Sequence, residues 1–188
     1  SKAHAFYNIR NLKSITVSPD NQFFCSDENG VLYTKDMKSL LLYPQGSTIE
    51  NFTVPAAVEN IVSPFGTIEA GGAITSLKVL NILENVKETS SNFKYVASLE
   101  KINVSKNNYY YSSNEHGMLF DKSKTVLVCV PAASNVGNYT IPNTVTDISN
   151  AFYGCTSLNS LDVSNFNTEN VTKTSSMFYG CTGLNSLD

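Results

Sequence analysis

The chain has little of what marks a nucleic-acid binder, a membrane span or a metal site. In 188 residues there is no tryptophan, one arginine (Arg10) beside twelve lysines, two histidines and four cysteines. A single guanidinium is a poor kit for clamping phosphates or carboxylates. The net charge of −3 leaves no basic stripe for a nucleic acid to follow. The longest apolar runs, such as Leu40–Tyr43, fall far short of the roughly 20 residues that span a bilayer. Charged residues make up only 15%, against about 25% in ordinary soluble domains. What stands in their place is 22 Asn, 23 Ser and 16 Thr, so amides and hydroxyls supply the polar surface.

The ends of the chain suggest a piece of something longer. It opens Ser1-Lys2-Ala3-His4, with neither a start methionine nor an apolar export stretch, as a trimmed or mature chain would. It stops at Leu187-Asp188, part-way through a segment whose earlier copy runs on, so the natural protein is expected to continue.

Self-similarity carries most of the information. Displaced by 87 residues, Leu12–Ile61 lies on Leu99–Ile148 without a gap, with 18 identities in 50. Gly30 meets Gly117, Pro44 meets Pro131 and Pro55 meets Pro142. A second repeat steps by 26: Phe152-Tyr-Gly-Cys-Thr-Ser-Leu-Asn-Ser-Leu-Asp162 returns as Phe178-Tyr-Gly-Cys-Thr-Gly-Leu-Asn-Ser-Leu-Asp188. Beneath both lies a shorter pattern, apolar at steps of three, three, three and two, as in Phe93, Val96, Leu99, Ile102 and Val104. It starts near positions 6, 71, 93, 152 and 178, and Gly71 replaces the aromatic head in the second copy. The tail, Leu-x-x-Leu-x-Val, is the leucine-rich-repeat signature, a short strand whose alternate residues enter a shared core. Steps of three in the head put its side chains on one face of a helical or 3₁₀ turn. One such coil cannot bury its apolar edge, whereas stacked coils can.

The expected fold is therefore mainly β with short helical or 3₁₀ turns: a right-handed leucine-rich-repeat solenoid of about five coils with inserted β-hairpins. Residues 1–66 form a first long repeat and 67–92 a short irregular one. Residues 93–151 form a second long repeat, and 152–188 the 26-residue type. The hairpins are Gly30–Tyr43, with a polar turn over 34–38, and its counterpart built on Gly117–Phe120 and Val126–Val130. Pro55 and Pro142 should each end a strand and turn the chain.

These residues together resemble the BspA-like leucine-rich-repeat surface proteins. The block from Asn21 through Gly30-Val-Leu-Tyr-x-Lys35 to Tyr43-Pro44, with its second copy, is similar to one form of that repeat. Leu161–Cys181 is similar to the 25- or 26-residue repeat of bacterial surface lipoproteins. The resemblance spans nearly the whole chain, with Gly71-Gly72 as its main departure. It implies secretion or surface display, a protein-binding or adhesive role towards host or neighbouring-cell surface or matrix proteins, and no catalytic residues.

The residues themselves offer several candidate surfaces and no strong catalytic one. No zinc-type C-x-x-C pair occurs, and Cys155 and Cys181, at equivalent positions one coil apart, read as small apolar thiols stacked in the core. His4 and His116 lie outside any metal or nucleophile motif. Asp162 and Asp188 would stand about 4.8 Å apart on neighbouring coils, yet they arise from one repeat position and so form a ladder instead of a unique pair. Outward strand positions form the natural binding sheet of a solenoid, with Thr16, Asn81, Asn103 and Asp162 as candidate ligand-facing residues. Phe23 and Tyr110 could anchor a partner if exposed, although their rings are expected to pack beneath their own hairpins. Glycan binding and a purely structural stalk remain open beside protein binding. No cofactor, metal, nucleic-acid partner or membrane span is expected, and an open last coil should favour weak self-association.

Overall fold

The computed structural model describes residues 9–61, 64–65, 74–89, 93, 95–134, 140–156, 158, 160–161 and 166–187. Within them, local hydrogen bonds shape the first hairpin. Asp27 Oδ1 accepts the backbone N–H groups of Asn29 and Val31 at 3.0 and 2.9 Å, bending the chain after β1 (Phe24–Ser26). Gly30 completes the bend at φ +70°, where a Cβ would come within 2.3 Å of the Ser14 Cβ; glycine is needed both for the left-handed backbone and for the space. β2 (Leu32–Thr34) pairs antiparallel with β1 and with β3 (Ser39–Leu42). The expected hairpin is thus present, and β1 adds a third strand to it.

The chain then enters the solenoid proper. β4 (Asn51–Thr53) ends ahead of Pro55, and the Val58 N–H donates to the Pro55 carbonyl at 2.9 Å, the turn expected of that proline. β5 (Asn60–Ile61) runs parallel to β3, and β7 (Glu88–Thr89) runs parallel to β5. β6 (Val79–Ile82) lies between β4 and β8 (Lys101–Val104), parallel to both. Two parallel rows result, β4–β6–β8 and β3–β5–β7. Residues 51–61 contribute a strand to each row and bury Phe52, Val54, Val58 and Ile61, so the first insertion carries a full extra coil beyond its hairpin. Val54-Pro-x-x-Val58-x-x-Ile61 keeps the spacing of a coil without its leucines.

The second long repeat rebuilds the same hairpin from β9 (Tyr111–Ser113), β10 (Leu119–Asp121) and β11 (Leu127–Cys129). Parallel bridges Val126↔Asp147↔Lys173 carry a row onward, and Ile141 bridges Phe166. β12 (Ser160–Leu161) and β13 (Ser186–Leu187) pair in parallel at the 26-residue step.

The heads close as tight turns. Val96 N–H donates to the Phe93 carbonyl at 3.0 Å, Cys155 to Phe152 at 3.1 Å and Cys181 to Phe178 at 3.1 Å. These bonds span three residues, as the head spacing predicts. Aromatic rings line up, tilted against one another, in two runs: Tyr43 lies 5.8 Å from Phe65 and Phe65 5.7 Å from Phe93, and separately Phe152 lies 5.3 Å from Phe178. Gly71 itself lies outside the described residues, but fully buried Phe65 supplies a ring between Tyr43 and Phe93. Burying each such ring contributes about 1.5–3 kcal/mol. Among the described residues no helix is long and apolar enough to cross a membrane.

Candidate functional site

The row β4–β6–β8 is the best-formed outward surface. Strand alternation sends Phe52, Leu80 and Ile102 into the core and the flanking residues out. Register places Asn51 beside Val79 and Lys101, and Thr53 beside Asn81 and Asn103. The Asn81 amide donates to Asn51 Oδ1 at 2.7 Å and to Thr53 Oγ1 at 3.1 Å, and the Asn103 amide donates to Asn81 Oδ1 at 2.9 Å. The result is a short amide ladder on a flat platform. Each Asn still holds hydrogen-bonding capacity beyond these bonds, so the ladder orients its side chains without exhausting them.

Charge borders the row on its entry side. Glu50, Lys78 and Glu100 each precede a strand, giving alternating signs, and Lys78 Nζ lies 3.0 Å from Glu50 Oε2. That hydrogen bond holds the Lys78 ammonium above its ordinary pKa. On the other row Glu59 bridges Lys38 (3.1 Å) and Lys87 (2.8 Å), whose hydrogen bonds lower its carboxyl pKa. All these groups are exposed enough that the pairs set pattern more than stability.

Of the candidate ligand-facing residues that are described, only Asn81 and Asn103 meet. Thr16 does not join them. It is exposed in a segment without strand pairing, where the Ile15 N–H donates to the Gly30 carbonyl at 3.0 Å and the Val17 N–H to Ser26 Oγ at 3.1 Å. β4 occupies the place beside β6 instead, bringing in Asn51 and Thr53. Sequence reasoning missed those two because it placed Asn51–Thr53 in an insertion; the signal was Phe52-Thr-Val-Pro, an alternating strand closed by proline. Asp162 and Asp188 lie outside the described residues.

The aromatic pair is exposed, contrary to expectation. Phe23 is 71% and Tyr110 46% exposed, while their neighbours Phe24 and Tyr111 are half-buried. Alternation turned one ring of each pair in, and the three-stranded hairpin leaves the other at its rim. Tyr111 hydroxyl oxygen accepts the Thr89 N–H at 3.2 Å, tying the hairpin edge to the row.

The four cysteines are free thiols. Cys129 and Cys155 both donate to the Val130 carbonyl, at 3.4 and 3.7 Å, and Cys181 donates to the Phe152 carbonyl at 3.0 Å. Burial pushes the Cys129 thiol up to about 12. A hydrogen bond to Cys181, with burial behind it, keeps Cys155 protonated. Cys129 and Cys155 are thus structural thiols, whereas the hydrogen bond with Cys155 holds the half-buried Cys181 thiol below its ordinary value. Among the described residues no three metal-ligating side chains cluster.

Comparison with known proteins agrees with this architecture. Residues 132–187 match the family described as Mycoplasma protein of unknown function, DUF285. No curated protein sequence matches the chain. Among solved structures, a leucine-rich repeat protein from Eubacterium ventriosum is 25% identical, over 76% of this chain and 42% of that one, with a TM-score of 0.61. The pneumococcal vaccine antigen PcpA is 23% identical over 76% and 40%, TM-score 0.58. A leucine rich cell surface protein from Faecalibacterium prausnitzii is 22% identical over 98% and 43%, TM-score 0.57. The chain therefore spans about two fifths of the length of each of these structures. Its stacked Leu-x-x-Leu-x-Val coils and these likenesses make the fold a leucine-rich-repeat solenoid, in keeping with the resemblance to the BspA-like surface proteins.

Proposed function

We propose that this chain is a non-enzymatic interaction module displayed outside the cell, binding protein partners through the row β4–β6–β8. The observation that carries the reading is the amide ladder: three adjacent strands present Thr53, Asn81 and Asn103 in register, locked to one another and facing out. A rigid polar platform lowers the ordering cost of binding, and a repeat solenoid offers it as an extended surface. The likeness to a leucine rich cell surface protein supports display at the surface. The partner class is a surface or matrix protein of a host or neighbouring cell.

The test is equilibrium binding of the chain to purified mucosal matrix proteins, with a Thr53→Ala/Asn81→Ala/Asn103→Ala variant alongside. Saturable binding that the variant loses, with its thermal midpoint kept, is the expected result. Binding by both proteins would move the site off the row, and binding by neither would leave the coils a spacer.

A further inference from the structure

We infer that the second long repeat carries a separate binding groove for a neutral oligosaccharide, with the Tyr109 ring as its stacking platform. The groove lies where the turn after β6 meets the segment between β8 and β9. It is a depression open to solvent, of about 500 Å³, lined by Glu84, Asn85, Lys106, Asn107, Tyr109 and Lys122, with Asn108 beneath. That volume sits within the roughly 300–1,000 Å³ of small-ligand sites, whereas a protein partner would use a broad surface.

The groove is braced before any ligand arrives. Asn108 is 1% exposed, and its side chain makes four hydrogen bonds. Its amide donates to the Leu83 and Val86 carbonyls at 2.8 and 3.0 Å, and its oxygen accepts the Tyr110 and Tyr111 N–H groups, both at 2.8 Å. This one side chain fastens the two walls together. Lys122 Nζ donates to the Asn108 and Lys106 carbonyls from the hairpin side, and the Asn85 amide nitrogen donates to the Ala56 carbonyl at 2.8 Å, leaving the Asn85 oxygen to accept.

The lining chemistry selects the ligand class. Tyr109 is 83% exposed, the most exposed large ring among the described residues, and it stands at the rim. A flat ring held in water is suited to the apolar C–H face of a pyranose, its hydroxyl remaining wet. Around it stand acceptors and donors of both kinds: the Glu84 carboxylate, two Asn side chains and the Lys106 ammonium. Neighbouring sugar hydroxyls, each both donor and acceptor, match that mixture. Charges of both signs line the groove and no arginine does, which disfavours a phosphate or polycarboxylate.

The groove also breaks the repeat. Position 22 holds Gln where the second copy has Tyr109, position 20 holds Asp for Asn107, and position 19 holds Pro for Lys106. Asn21 keeps the cap, accepting the Phe23 and Phe24 N–H groups at 2.9 Å, but among the described residues no turn like Leu83–Val86 lies against it. A constellation present in one copy alone is not a by-product of repetition.

The inference is independent of the row, and the test keeps the two apart. Isotope-labelled full chain is titrated with trimers of β-linked glucose, β-linked N-acetylglucosamine and β-linked galactose, and amide shifts are followed. The expected result is saturable perturbation confined to Glu84–Asn85 and Lys106–Tyr110 by at least one trimer. Tyr109→Ala should weaken that binding about three- to tenfold with an unchanged thermal midpoint; Tyr109→Phe should keep it, and the Thr53/Asn81/Asn103 variant should bind as the parent does. No perturbation by any trimer, perturbation elsewhere, or binding indifferent to Tyr109→Ala would each overturn the inference, as would groove perturbation by peptides alone.

Discussion

The two long repeats, Leu12–Ile61 and Leu99–Ile148, share their internal hydrogen bonds almost atom for atom and differ in what lies beside them. Ile15 N–H to the Gly30 carbonyl (3.0 Å) returns as Ile102 to Gly117 (3.0 Å), and Gly46 N–H to Leu12 (2.8 Å) returns as Ala133 to Leu99 (2.8 Å). Even the substitutions are paired. Tyr33 hydroxyl donates to Asp27 at 2.8 Å in the first copy; in the second Phe120 has no hydroxyl, and Asn114 in place of Asp27 still accepts the Met118 N–H at 2.9 Å. Yet Lys101–Val104 is a strand and Ser14–Val17 is not. The difference is the neighbour: β6 lies against β8, and the Lys78 carbonyl just ahead of β6 accepts the Lys101 N–H at 3.1 Å, whereas no described strand flanks 14–17. The repeat specifies the bend and the hairpin, and the adjoining coil makes the strand and the groove.

The largest break is expected between the two copies, where an aromatic run leads from Tyr43 of the first to Phe93 just ahead of the second. Phe65→Ala removes the ring between Tyr43 and Phe93 and should cost about 3–5 kcal/mol. Chemical denaturation would check it; a loss below about 1 kcal/mol would mean that the run is not continuous there.

A sharper contrast comes from the paired caps. Asn108→Ala strands two backbone N–H groups and two carbonyls in a buried place and should cost about 2–4 kcal/mol. Asn21→Ala, which loses the cap without the bracing, should cost about 1 kcal/mol. Equal costs in the two variants would show that the coil beneath adds nothing to the second copy.

The smallest effect lies in the hairpin turns, where the carboxylate changes place. In the first, Asp36 Oδ1 accepts Thr34 Oγ1 at 2.7 Å and Lys38 N–H at 3.0 Å; in the second, Asp121 accepts Ser123, Thr125 Oγ1 at 2.9 Å and Val126 N–H at 2.7 Å. Partial burial raises the Asp121 pKa, but the hydrogen bonds from Ser123, Val126 and Thr125 outweigh it, and the net shift is down. A depressed carboxyl pKa stabilises the fold above the unfolded value near 3.9 and stops doing so as pH falls through the folded value. Acidification below about pH 4 should therefore loosen the second turn. Asp121→Asn should flatten that dependence there and leave it unchanged at Asp36, as read from amide exchange at Lys124 and Met37.

Much of this was legible because repeats amplify weak signals. Leu77, Leu80, Leu99 and Ile102 are buried where periodicity puts them, the hairpin turns and the turns at Pro55 and Pro142 stand where their residues imply, and β4 ends ahead of Pro55, while the segment ahead of Thr140 lies outside the described residues. What could not be read was adjacency. Nothing local to Asn51–Thr53 says that it displaces Ser14–Val17 beside β6, and nothing local to Phe65 says that it stands in the aromatic run. Asn81 and Asn103 were legible as outward strand residues, whereas the groove was not, since Glu84–Asn85 and Lys106–Tyr109 lie some twenty residues apart and are braced together by the buried amide of Asn108.

Amide hydrogen exchange on the intact chain, resolved residue by residue over 14–17 and 101–104, tests most directly that the neighbouring coil makes the strand. Protection is predicted across Lys101–Val104, with Thr16 exchanging freely between the two bonded amides of Ile15 and Val17. Equal protection of Thr16 and Asn103 would contradict the account, because the repeat sequence alone would then be enough to make the strand.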